Sequence, residues 1–199
     1  MKNRRKIKKS TIVIDIILVI STCLVLLPIV TMVMTSLKTF EDVQMNPASL
    51  IPKEFTLKNY VTVFTEFPFT QYLINTLFIT ITSTIGITLT SALVAYAFAR
   101  FDFKYKGIIF AVMLSTIMIP GQILQIPLYE MYRGMGWINT YKPMIIPAFL
   151  GGGITNVFLI RQFFNSLPKS IFESAQIDGA GEFRIFATIA VPLSKAIIF

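Results

Sequence analysis

The sequence predicts an all-α fold, a polytopic transmembrane helical bundle, from three observations. Of its 199 residues, 54% are hydrophobic and only 14% charged, with a mean hydropathy of +0.70, where a soluble domain carries about a quarter charged residues. The apolar residues gather into runs long enough to cross a bilayer. The formal charge of +8 is unevenly spread, since six of the eighteen Lys and Arg fall within residues 1–10. Basic residues ahead of a long apolar run mark membrane topology rather than a nucleic-acid surface. The expected partner is therefore lipid, with no role for nucleic acid.

Residues 1–10 read as a basic cytoplasmic tail and residues 11–37 as the first span, with its apolar core over 12–34. A cleaved signal peptide shares this pattern, but the run is too long for a signal core and no small-residue cleavage site follows it. Asp15 is expected in the first helical turn, where the interface and the positive helix end tolerate a carboxylate. Cys23, the single cysteine, reads as a small apolar packing residue.

Residues 38–71 hold three basic residues against four acids and read as an extracytoplasmic segment. The remainder, 72–199, reads as the core of the bundle. Apolar runs at 73–99, 108–128 and 144–160 are the second to fourth spans, and a fifth begins near Val191. Pro120 and Pro127 should kink the third or end it early. Gly151, Gly152 and Gly153 predict close packing or distortion in the middle of the fourth. The turn "RFDFKYKG" is basic like the tail, which puts the N-terminus in the cytoplasm and residues 129–142 outside. Tyr129, Tyr132, Trp137 and Tyr141 then form an interfacial aromatic belt.

Chemistry is excluded more readily than assigned. With no histidine and one cysteine, neither a nucleophilic triad nor a Cys/His metal site can be built, so no catalytic and no metal-ligating residue is expected. No acid falls at the middle of a span, which removes the usual basis of proton or ion coupling. A G-x-x-x-x-G-K-[ST] loop is also lacking, so neither ATP nor another cofactor is expected on this chain. Neutral polar residues do enter the spans, and Asn75, Gln122, Gln125 and Asn156 are candidates to line a path for a hydroxylated solute. They read equally as helix–helix hydrogen-bonding groups.

Residues 161–190 break the apolar pattern with a loop expected to face the cytoplasm. A short helix is expected from about Ser170 to Gly179, roughly 13 Å long, entered at Ser166 or through a capping box from Ser170 to Glu173. Gly179 can take the left-handed conformation that closes it. A second helix should run from about Gly181 into the fifth span, bent at Pro192. Ile171, Phe172, Ala175 and Ile177 would form an apolar face suited to a groove on another protein; the alternative is a helix lying on the lipid surface.

Glu173-Ser174-Ala175, then Gly179, then Ile189-x-Val191-Pro192 resembles the E-A-A, three residues, G, nine residues, I-x-L-P signature of binding-protein-dependent ABC import permeases. Ser174 and Val191 are mild departures, and the spacing is kept throughout. "AYAFARFDFKYKG", "MIPGQILQIPLY", "GWINTY", "FLIRQFFNSLP" and "AQIDGAGEFRIF" are similar to the carbohydrate-import (maltose and multiple-sugar) branch.

The resemblance implies a type I importer permease in a bacterial cell membrane. Its implied partners are a second permease subunit, two cytoplasmic ATPase subunits that bind ATP and magnesium, and an extracytoplasmic solute-binding protein. It makes Ser170–Gly179 a coupling helix, with Glu173, Ser174, Ala175, Asp178, Gly179, Ala180, Ile189 and Pro192 as the ATPase-coupling residues. Six spans are expected of such a permease, the last one and a half absent from this chain. Other readings are a permease for a polyamine or phosphorylated compound, and a truncated membrane interaction protein without transport of its own.

Overall fold

The computed structural model describes residues 9–198, and all regular structure among them is helical. The basic tail lies outside the described residues except for its last two positions. The chain divides into two compact units, Met1–Leu73 and Ile74–Phe199.

The first unit opens with α1, Lys9–Ser36. Its side chains are predominantly apolar and are exposed all round from Val13 to Val30, as suits a helix whose solvent is lipid. The hydroxyls of Ser21 and Thr22 donate to Ile17 O and Leu18 O, both at 2.7 Å, so neither hydroxyl needs water. Two expectations fail here. The helix is already formed at Lys9, so Asp15 lies beyond its first turn, and Cys23 is exposed rather than packed.

Two short helices follow, α2 (Phe40–Met45) and α3 (Lys58–Thr65). Thr39 caps α2, its hydroxyl accepting from the Asp42 N–H at 3.3 Å. Lys38 is 1% exposed and its ammonium donates to Asn46 O at 3.0 Å and Ser49 O at 2.6 Å. Asp42 takes the Lys53 N–H at 3.0 Å and the Asn46 amide at 3.2 Å. The Lys53 N–H bond, with further help from Asn46, Lys38 and Lys53 charges, holds the Asp42 carboxyl below its ordinary value of 3.8 against an opposing contribution from burial.

The long helix α4, Phe69–Arg100, carries the core of the second unit. Ser91, Ala92, Ala95, Tyr96 and Phe98 are buried, a spacing that puts them on one helical face. Against them pack Phe110 of α5 (Lys106–Ser115) and Val157, Ile160 and Phe164 of α8 (Ile154–Ser166).

The third expected span is not one continuous helix. After α5, a 3₁₀ turn at Thr116–Met118 leads to extended Ile119 and Pro120, and α6 (Gly121–Gly134) leaves at 98° to the preceding segment. Proline forces the residue before it out of the helical region, so Pro120 accounts for the break, whereas Pro127 is accommodated inside α6. Beyond α6, the rings of Tyr132 and Trp137 stack at 5.7 Å.

The fourth span is distorted as expected. It comprises α7 (Lys142–Ile145), a 3₁₀ turn over Ile146–Phe149, and α8. Between them Gly151 and Gly152 adopt φ of 117° and 68°. A side chain at Gly152 would meet the Ser91 backbone nitrogen at 2.7 Å, and one at Gly86 the Phe149 ring at 2.6 Å. Missing side chains thus let this segment sit directly on α4.

The short helix α9, Lys169–Ile177, is followed by α10 (Glu182–Ile185), a π-helical turn at Phe186–Ala190, α11 (Val191–Leu193) and α12 (Lys195–Ile198). In the wide turn the Val191 N–H reaches back to Phe186 O, which makes room for the ring of Pro192. The helix carrying Pro192 is interrupted two residues later at Ser194, with φ −107° and ψ 17°. Among the described residues, three helical segments are long and apolar enough to cross a membrane, Val13–Ser36, Phe69–Arg100 and Lys142–Ser166, and a fourth if the bent pair counts as one span.

Candidate functional site

The polar loop folds as α9 with a sharp turn after it. Pro168, with φ −60° and ψ 127°, stands at the N-cap, and no side chain caps the helix. Both expected caps are thereby corrected. Ser166 donates to Phe163 O at 2.7 Å, and Ser170 lies inside the first turn because the proline holds the boundary. At the other end Gly179 adopts φ 79°. The Ala180 N–H donates to Ala175 O and the Gly179 N–H to Gln176 O, both at 3.0 Å. This pair of bonds is a Schellman motif, and it fixes the direction in which the chain leaves α9.

The two sides of α9 differ. Phe172 is 1% exposed and lies beneath Arg100, whose guanidinium carbon is 4.1 Å from the ring centroid. Ala175 and Ala180 pack against the same core. On the other side Glu173, Ser174, Asp178 and Gly179 are exposed, and Ile177 is 86% exposed. The expected apolar face is therefore split: Phe172 and Ala175 belong to the chain's own interior, while Ile171 and Ile177 remain outside. The carboxylates of Glu173 and Asp178 make no hydrogen bond or ion pair among the described residues. Ile189 packs against the core and Pro192 is exposed.

The carboxylate that does bridge elements is Glu182. Tyr96 Oη donates to its Oε2 at 2.8 Å, and Gln176 Nε2 donates to its Oε1 at 2.6 Å. Sequence patterns give no sign of this role, because Tyr96 lies 86 residues away; the only local hint is an acid in the first turn of a helix opened by Gly181.

The candidates for a solute path lie on three helices. Asn75 lies on α4, Gln122 and Gln125 are exposed on α6, and Asn156 is exposed on α8. Asn156 lines a pocket of about 120 Å³ with Thr88, Leu159, Ile160, Ile197 and Ile198, which includes none of the other three. Among the described residues no group of acids and cysteines is placed to hold a metal ion.

Comparison with known proteins gives the family and the fold. Residues 87–199 match the family described as the binding-protein-dependent transport system inner membrane component. The chain is 33% identical over 169 residues to an arabinooligosaccharides transport system permease protein of Halalkalibacterium halodurans, covering 83% of this chain and 60% of that one. It is 31% identical over 195 residues to a trehalose/maltose transport system permease protein of Thermococcus litoralis, covering 97% and 69%. Among solved structures it resembles a bacterial ABC transporter involved in import of the acidic polysaccharide alginate, with a TM-score of 0.69 at 20% identity over 98% of this chain and 69% of that one. That likeness speaks for the fold. The chain spans about 60% of the length of the first curated relatives it matches. It is a multi-pass membrane protein, and it belongs to the family of binding-protein-dependent transport system inner membrane components.

Proposed function

We propose that the chain is the permease subunit of an ATP-driven importer for a sugar or oligosaccharide, and that α9 is the helix through which a cytoplasmic ATPase drives it. The observation that carries this reading is the division of α9. One side is fastened to the chain's own core through Phe172. The other presents the exposed side chains of Ile177, Glu173, Ser174 and Asp178, which make no hydrogen bond or ion pair among the described residues. A helix anchored on one side and bare on the other suits a helix-in-groove contact. Under this reading ATP and magnesium are bound by two ATPase subunits, a second permease completes the path, and an extracytoplasmic protein delivers the solute. The N-terminus and α9 are then cytoplasmic, and residues 38–71 face outside. Closure of the ATPase pair moves α9 as a rigid piece, and the turn at Gly179 passes that movement into α10 and the helix beyond.

The carbohydrate assignment draws on the relatives whose names specify arabinooligosaccharides and trehalose or maltose. The neutral character of Asn75, Gln122, Gln125 and Asn156 favours hydroxylated solutes over anions. A single-cysteine chain tests the helix assignment: Cys23→Ser combined with Ile177→Cys, carrying a short cross-linker, in membranes containing the ATPase. The expected product is a covalent adduct with the ATPase subunit whose yield changes with ATP. An adduct with lipid alone, while the ATPase is present in the complex, overturns the assignment.

A further inference from the structure

Helix α9 is tied to α4 at two levels. Phe172 lies under Arg100 at 4.1 Å, and Gln176 reaches Tyr96 through the carboxylate of Glu182, at 2.6 Å and 2.8 Å. Phe172 and Gln176 are four residues apart on α9, and Tyr96 and Arg100 are four apart on α4, so each pair is one helical turn apart on one face. The contacts therefore form two rungs between the helices. The rungs differ in kind. A guanidinium over a ring has a broad attraction that tolerates sliding and rotation. Two hydrogen bonds to a carboxylate are directional and short. Tyr96 itself is held firmly, 4% exposed, with its ring edge-on to Phe101, Phe164 and Phe186 at 6.0, 5.9 and 5.2 Å.

We propose that Glu182 is a positioning residue that fixes the rotation of α9 against α4, so that a push on α9 reaches the long helix directly as well as along the chain through Gly179. The Phe172–Arg100 rung alone would leave a pivot; the Glu182 rung turns it into a rigid joint. This inference rests on the reading of α9 as the ATPase-contacting helix.

The test uses the chain assembled with its partner permease and ATPases in liposomes, with Tyr96→Phe, Glu182→Ala and Glu182→Gln variants. Both uptake per ATP hydrolysed and amide exchange across residues 169–180 are measured. Tyr96→Phe keeps the ring packing and removes the bond to the strut. Glu182→Gln can keep both bonds, since its amide accepts from Tyr96 and donates to Gln176 once the Gln176 amide turns over. Loss of a hydrogen bond to a charged group shifts a two-state equilibrium by about tenfold. Tyr96→Phe and Glu182→Ala are accordingly expected to lower uptake per ATP severalfold and to raise exchange in α9, while Glu182→Gln restores both. Unchanged coupling in the first two variants, or unchanged exchange, overturns the strut. Equal damage in Glu182→Ala and Glu182→Gln with Tyr96→Phe unaffected also overturns it, since that would mean a requirement for charge rather than for the bridge. A wild-type complex that takes up no carbohydrate overturns the import reading instead, and the exchange measurement then decides the strut by itself.

Discussion

Replacing Gly179 by valine should uncouple ATP hydrolysis from uptake, and the reason is conformational. Gly179 has φ 79°, and a Cβ built on it meets nothing within 4 Å. A side chain there is thus opposed by the backbone conformation alone, not by a neighbour. For an L-residue the left-handed region costs roughly 1–2 kcal/mol, at the upper end for a β-branched side chain. The chain has two responses. It keeps the turn and bears that strain, or it releases the turn and loses the Ala180–Ala175 and Gly179–Gln176 bonds, each worth about 1 kcal/mol net. Either way the population of the correct exit angle falls by a factor of about 5 to 30. The assay is uptake per ATP hydrolysed in proteoliposomes holding the full complex, for Gly179→Asn, Gly179→Ala and Gly179→Val. Asparagine enters the left-handed region most readily of the three, so the expected order is wild type, Asn, Ala, Val. A valine variant with wild-type coupling would refute the reasoning. So would an asparagine variant as poor as valine, because that points to a contact made by the Cβ and not to φ.

Other consequences follow from residues away from α9. The Asp42 carboxyl is held below 3.8 chiefly by the Lys53 N–H, so its contribution to the fold of residues 38–58 is complete above that value and is lost as the pH falls through the lowered one. Protection of the Lys53 amide against exchange should therefore weaken on acidification below 3.8, and Asp42→Asn should remove that dependence. Lys38→Met leaves the Asn46 and Ser49 carbonyls without their donor and should cost about 2–3 kcal/mol, read as a lower urea midpoint for protease resistance of this segment. Gly152→Ala should lower the thermal midpoint of the second unit, since left-handed strain and a 2.7 Å approach to Ser91 N add to about 2–5 kcal/mol. Gly107→Ala in α5, where a Cβ meets nothing within 4 Å, should instead be neutral or stabilising by up to about 1 kcal/mol.

What the sequence made legible was local. Runs of apolar residues identified the long helices, Pro120 announced the break between α5 and α6, and the glycine run at 151–153 announced the distortion before α8. Gly179 was legible because a left-handed exit leaves few other choices. The illegible parts depended on partners far along the chain. Phe172 read as a surface residue because its cover, Arg100, lies 72 positions earlier. Glu182 drew no reading from the sequence because its partner Tyr96 lies 86 residues away. Ser170 matched a capping box, yet Pro168 already defined where the helix begins. Lys38 read only as a charge to be counted for topology, whereas it is buried and closes a loop by bonding two carbonyls. For Phe172 and Glu182 periodicity gave the element, and a distant side chain decided which face was free.

The central claim is that this chain works as the membrane subunit of an ATP-driven importer, engaged by an ATPase at α9. Native mass spectrometry of the complex drawn from membranes by a tag on the chain tests it most directly, with wild type compared against an Ile177→Asp chain. The account predicts a wild-type assembly holding a second permease and two ATPase copies, and loss of ATPase from the Ile177→Asp assembly while the permease pair persists. Recovery of the wild-type chain without any ATPase, or an unaltered assembly with Ile177→Asp, would contradict it.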